Sequence, residues 1–187
     1  MEDRFSEQLV KKYPSNSETL KKTLIIAAAI IISIISLFLT FTIFPAFAVL
    51  IVGAIFGAYY LISQMYTEYE YTFTNGTLDI DKIIAKKDRV EMVSVEVKDF
   101  TDFQAVKEDS NLNDDEYIRY HLSDGLLNHL CYADFETEND KSRIYFSPSN
   151  ETLENIEYYS KPEIKEKIKE ILNLRKNNDS KENAENS

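Results

Sequence analysis

Only four glycines and one cysteine stand among the 187 residues, and tryptophan is absent. So few glycines exclude a glycine-rich cradle for nucleotide phosphates. Cys131 has no partner for an internal disulfide, which fits a reducing compartment. The longest absence is of charge: from Leu24 to Ser63, 40 residues pass without Asp, Glu, Lys or Arg. As one helix this window would be roughly 60 Å long, about twice the hydrocarbon thickness of a bilayer. Pro45, near its middle, lacks an N–H and restricts the residue before it. The expectation is a two-helix transmembrane hairpin over 24–65, with spans at 24–44 and 46–65. A cleaved leader is the rival reading, but its apolar region would be about twice the usual length and a second apolar run follows.

A hairpin with almost no link returns the chain to the side it left. Lys11, Lys12, Lys21 and Lys22 precede the first span, and Lys82, Lys86, Lys87 and Arg89 follow the second. The link carries no charge, so the basic bias places both termini in the cytoplasm and the protein in the cytoplasmic membrane. From Ser63 onward, 28 Asp plus Glu stand against 16 Lys plus Arg, a net of −12. So acidic a domain argues against nucleic acid as a partner.

Beyond Met65 the apolar period changes to two. In "EYEYTFTNGTLDI", Tyr69, Tyr71 and Phe73 alternate with Glu70, Thr72 and Thr74, and Leu78 and Ile80 follow a break. Asn75-Gly76 is the break, and it is a strong signal for a tight hairpin because both central residues of such a turn need positive φ. "RVEMVSVEVKDF", "YIRYHL", "LLNHLCYADFE" and "SRIYFSP" continue the meander, giving about six antiparallel strands. "SPSNETLENIEYY" and "SKPEIKEKIKEILNL" then read as helical, with Ser149 or Asn150 and Ser160 as caps and Ile164, Ile168, Ile171 and Leu172 on one face. The final residues read as a disordered tail over 175–187, and 1–23 as an N-terminal cytoplasmic segment.

Antiparallel strands closed by an amphipathic helix resemble the pleckstrin-homology (PH) superfold. The order of two spans and then "EYEYTFTNGTLDIDKI" is similar to a family of small two-span membrane proteins of Gram-positive bacteria, to which no activity is assigned. The resemblance covers roughly Phe5 to Phe146. It implies a mostly-β PH-like cytoplasmic domain at 66–174: an antiparallel sheet or partly open barrel of six to seven strands, capped by a C-terminal helix.

The functional expectation is a non-enzymatic, membrane-proximal scaffold for a protein partner, acting through a sheet edge or the acidic face. A sensor of anionic lipid headgroups through Lys82, Lys86, Lys87 and Arg89 is the alternative, and a lipid-acting enzyme is remote because no catalytic constellation is evident. Gly53 and Gly57 form a GxxxG in the second span, suited to packing on the first span around Ala27 to Ala29 or to homo-oligomerisation. His121, His129 and Cys131 match no zinc spacing, with His129 and Cys131 expected on one strand face. Asp114, Asp115 and Glu116 lack the glycine and spacing of a calcium loop. Neither metal nor cofactor is expected.

Overall fold

The computed structural model describes residues 3–107, 116–137 and 140–185, the side chains as far as 178. The acidic run at Asp114 and Asp115 lies outside them. Two compact units emerge, one holding Tyr13–Thr67 and Ile84–Asp88, the other Met1–Lys12, Glu68–Ile83 and Arg89–Ser187.

The first unit is built on two helices. Helix α1 (Asn16–Thr42) starts at a complete capping box: Ser15 Oγ accepts from Glu18 N–H, and Glu18 accepts from Ser15 N–H. Pro45 opens a short 3-10 turn, Pro45–Phe47, where its missing N–H costs no helical bond, and α2 (Ala48–Ser63) follows. The stretches Asn16–Thr42 and Pro45–Ser63 are both long and apolar enough to cross a membrane. The less exposed positions of α1 include Ile25, Ala29, Ser33, Ser36, Leu39 and Thr40; those of α2 include Ile51, Ala54, Ala58 and Ile62. Both sets recur at helical spacing, and small side chains dominate the seam, as close approach requires. Gly53 and Gly57 lie off that seam: a Cβ built on either meets no atom within 4 Å. Ala54 and Ala58, and not Gly53 and Gly57, take less exposed positions of α2.

The second unit carries two four-stranded sheets rather than one closed barrel. The first runs in the order β1 (Phe5–Lys11), β2 (Thr67–Thr74), β3 (Thr77–Ile84), β4 (Asp88–Glu96). Strand β1 pairs antiparallel with β2, from Phe5 opposite Thr74 to Lys11 opposite Glu68. The N-terminal segment is thus part of the sheet, and the helical hairpin is inserted between two neighbouring strands. The second sheet runs β5 (Phe100–Ala105), β7 (Cys131–Glu136), β8 (Lys141–Phe146), β6 (Ile118–His121). Here β6 and β8 are parallel, against the expectation of antiparallel strands throughout. The reason lies in the connection: residues 122–130 form no strand, so β7 begins only at Cys131 and β6 comes to rest on the far side of β8. His129 falls in that connection, not on a strand face with Cys131.

The turn at Asn75 (φ 48°) and Gly76 (φ 101°) takes the expected left-handed pair. It is also a junction, because Asn75 N–H donates to Arg4 O at 3.0 Å, Asn75 Oδ1 accepts from Arg4 N–H at 3.0 Å, and Gly76 O accepts from Val97 N–H at 2.9 Å. Tyr71, Phe73, Leu78, Ile80, Phe103 and Phe146 are buried in the core, Phe146 meeting Tyr71 and Phe103 edge-on at 5.8 and 6.0 Å. The Tyr71 hydroxyl donates to Leu122 O and accepts from Ser147 N–H, so its polar end is satisfied inside the core.

Helix α3 (Asn150–Tyr159) is capped by Ser149, whose Oγ accepts from Thr152 N–H. Ser160 closes α3 by donating to Ile156 O instead of capping the next helix, whose first backbone bond is taken by Lys161 O. Helix α4 (Pro162–Glu185) buries Ile164, Ile168, Ile171 and Leu172. It continues through the segment expected as a disordered tail, because "RKNNDSKENAE" holds neither glycine nor proline to end it. Residues 186–187 lie outside the described residues.

Candidate functional site

Strand β5 is an end strand of its sheet, and α4 packs along it. Between them runs a groove of about 300 Å3, floored by Phe103, Ala105, Ile171 and Leu174 and rimmed by Lys107 and Lys167. Leu174 is 53% exposed, a large apolar side chain left in the open. One side of the groove is fixed by Asp102. Its carboxylate accepts from Lys167 Nζ at 2.5 Å, Gln104 Nε2 at 2.8 Å, Phe103 N–H at 2.7 Å and the Tyr132 hydroxyl at 3.1 Å. Burial raises the Asp102 pKa, but these donors outweigh it and hold the group below its ordinary value. Burial, followed by Asp102 itself, pushes the Tyr132 phenol up. The arrangement is an apolar slot beside a strand that pairs on one side only among the described residues, the kind of edge to which an extended peptide can add. Nothing in the alternation marked Asp102 or Leu174 in advance, since their roles depend on α4 meeting β5.

The four basic residues differ in how they are engaged. Arg89 is engaged by Glu70 at 2.6 Å and Asp81 at 3.8 Å. Burial raises the pKa of Glu70; Arg89 opposes this, while Glu7 and Asp81 add to it. Lys82 is half-buried on β3. Lys86 and Lys87 are exposed and make no ion pair among the described residues. They sit on a tight turn closed by Lys87 N–H donating to Ile84 O at 3.0 Å, with Ala85 (φ 52°) and Lys86 (φ 59°) both left-handed without being glycine. Ala85 N–H donates to Tyr66 O at 2.9 Å, and Lys22 lies over the Tyr66 ring at 4.7 Å.

His121 stacks flat on Tyr145 at 4.7 Å, and burial followed by Arg119 lowers its pKa. Cys131 is fully buried, and burial pushes its thiol up to about 11 against the opposing charge of Arg175. Among the described residues no group of three or more His, Cys, Asp or Glu converges as metal ligands would.

The chain matches the family model described as Bacterial PH-like domain (DUF6106) over residues 2–166. No curated protein and no solved structure matches it. The matched region begins before β1 and ends within α4, so it takes in both apolar helices and both sheets. The chain belongs to the bacterial PH-like domain family DUF6106.

Proposed function

We propose that the protein is a membrane-anchored docking module, not an enzyme, whose PH-like domain takes up a protein segment in the groove between β5 and α4. The observation that carries this reading is the coincidence of a strand edge left without a partner strand among the described residues with an apolar slot beside it. Backbone pairing supplies affinity in such a mode and the slot supplies side-chain selection. The family supports it, since PH-like domains are typically modules that bind proteins or lipids. The basic residues flanking the spans support a reading in which both termini, and the domain with them, face the cytoplasm.

Selection of displayed peptides against the full chain in nanodiscs tests the reading. Selected peptides are expected to slow hydrogen exchange at Ala105, and Leu174→Glu is expected to abolish their binding. Peptides that protect another surface, or bind equally well after Leu174→Glu, contradict it.

A second reading rests on a different observation. Lys86 and Lys87 belong to the same compact unit as the two apolar helices, and their turn is hydrogen-bonded to Tyr66, just past α2. Two exposed ammonium groups there suit anionic lipid headgroups, each contributing on the order of 1 kcal/mol. Native mass spectrometry of the full chain is expected to show retained phosphatidylglycerol in preference to phosphatidylcholine, and K86E/K87E to lose that preference. Equal retention by both forms would leave the two lysines as a topology signal.

A further inference from the structure

Strand β1 is the end strand of its sheet, paired with β2 on one side only among the described residues. Its side chains alternate strictly. Ser6 and Val10 are buried and Gln8 bonds to Ser147 O and Ser149 N–H at the head of α3, whereas Phe5, Glu7, Leu9 and Lys11 are exposed. The backbone alternates with them. Asn75 N–H donates to Arg4 O, and the register from there makes Ser6, Gln8 and Val10 the residues that exchange hydrogen bonds with β2. The N–H and C=O groups of Phe5, Glu7, Leu9 and Lys11 therefore point away from β2, on the same residues whose side chains stand in the open. Leu9 is 53% exposed and Phe5 61%.

Exposed charges on an end strand ordinarily discourage pairing. Here their spacing does the reverse for one partner, a second copy of the same strand. In an antiparallel pair, a two-fold axis through any residue of β1 keeps the outward-pointing backbone groups opposite one another, so the side chains choose the register. Centred on Glu7 the pair opposes two carboxylates, and centred on Lys11 two ammonium groups. Centred on Ser6, Gln8 or Val10 it sets an apolar side chain against a charged one, and centred on Phe5 it leaves Leu9 and Lys11 unmatched. Centred on Leu9, it sets Leu9 on Leu9 and Glu7 opposite Lys11 on either side of the axis, apolar against apolar and acid against base. Both charges are open to such a partner. Lys11 lies across from Glu68 on β2 but makes no ion pair among the described residues. Glu7 makes none either, and its neighbour is the Glu70 carboxyl, whose own cation is Arg89 at 2.6 Å.

We propose that β1 is a self-association surface, on which two copies of the chain pair antiparallel about a two-fold axis through Leu9 and continue the first sheet from one copy into the other. The pairing is independent of docking at β5 and stands or falls without it. Disulfide trapping in the full chain, reconstituted in liposomes and oxidised with copper phenanthroline, reads the register. In the paired strands the two Leu9 Cα atoms stand about 5.5 Å apart, within reach of a disulfide, and the two Glu7 Cα atoms roughly 14 Å apart, beyond it. Leu9→Cys is expected to give a covalent dimer, Glu7→Cys alone and Lys11→Cys alone none, and a mixture of the Glu7→Cys and Lys11→Cys chains the dimer again. All three side chains are exposed, so the variants keep the fold, which unchanged melting temperatures verify, and the unaltered chain, with Cys131 buried, is the blank. A Leu9→Cys chain that stays monomeric overturns the pairing. So does a Glu7→Cys chain that cross-links as readily as Leu9→Cys, or a mixture that yields no dimer.

Discussion

Gly76 shows how much one residue can decide. Its φ of 101° is a conformation that side chains rarely adopt, and a Cβ built there lies 3.0 Å from Tyr159 Cδ1. Gly76→Ala is expected to cost about 1–3 kcal/mol of stability, read from denaturant melting of the full chain. Cys131 makes the opposite case, a reactive residue type rendered inert by burial. Alkylation by iodoacetamide near pH 8 is expected only after unfolding; reaction in the folded chain would contradict the burial described. Asp102 carries a pH dependence whose sign follows from its lowered pKa. A carboxyl held below its unfolded value adds stability above that value and loses it as pH falls through the folded one. Asp102→Asn is therefore expected to destabilise the chain at neutral pH, with the difference shrinking as pH drops below about 4. A difference that stays constant with pH would mean that packing, and not charge, is what Asp102 supplies.

Elements differ in how far they can be read from the chain. The β2–β3 hairpin was legible because alternation and its Asn75-Gly76 turn are both local, and the two apolar helices because 40 uncharged residues cannot be hidden. Strand β1 was not, since its seven residues lie next to a lysine-rich lead and pair with β2 across the whole inserted hairpin. Alternation marks that a strand exists without naming its neighbour or direction, which is why the parallel β6–β8 pair and the end position of β5 could not be foreseen. The groove beside β5 inherits that difficulty. Its floor joins Phe103 to Leu174, residues brought together only when α4 returns along the sheet. Two tests belong at this scale. Removing residues 3–11 is expected to lower the melting temperature sharply, because Val10 and Ser6 are buried and Gln8 is bonded to Ser147 and Ser149. In the helical unit, Ala58→Leu is expected to weaken the packing of α1 on α2, whereas Gly53→Leu, with open space around it, is expected to leave it intact. Proteolysis of the link near Pro45 in detergent distinguishes the two.

Taken as a whole, the molecule is a PH-like domain interrupted by a pair of apolar helices, not a domain appended to an anchor. Strand β1 leads into α1 across Lys12 to Ser15, and α2 leads into β2 across Gln64 to Tyr66. Since β1 and β2 are bonded neighbours, the sheet constrains the hairpin's two ends to lie close together. A soluble fragment starting at Thr67 would lack an edge strand, so binding work needs the full chain. The central claim, that this anchored domain docks a protein segment along β5, is tested most directly by photo-crosslinking in living cells. A photoreactive residue replaces Gln104 on β5, the end strand of its sheet, and a second version carries it at Val90, exposed on β4. A discrete protein adduct from position 104, missing from position 90 and lost when Leu174→Glu is added, is the expected result. Adducts that are the same from both positions, or that survive Leu174→Glu, would contradict docking at this groove.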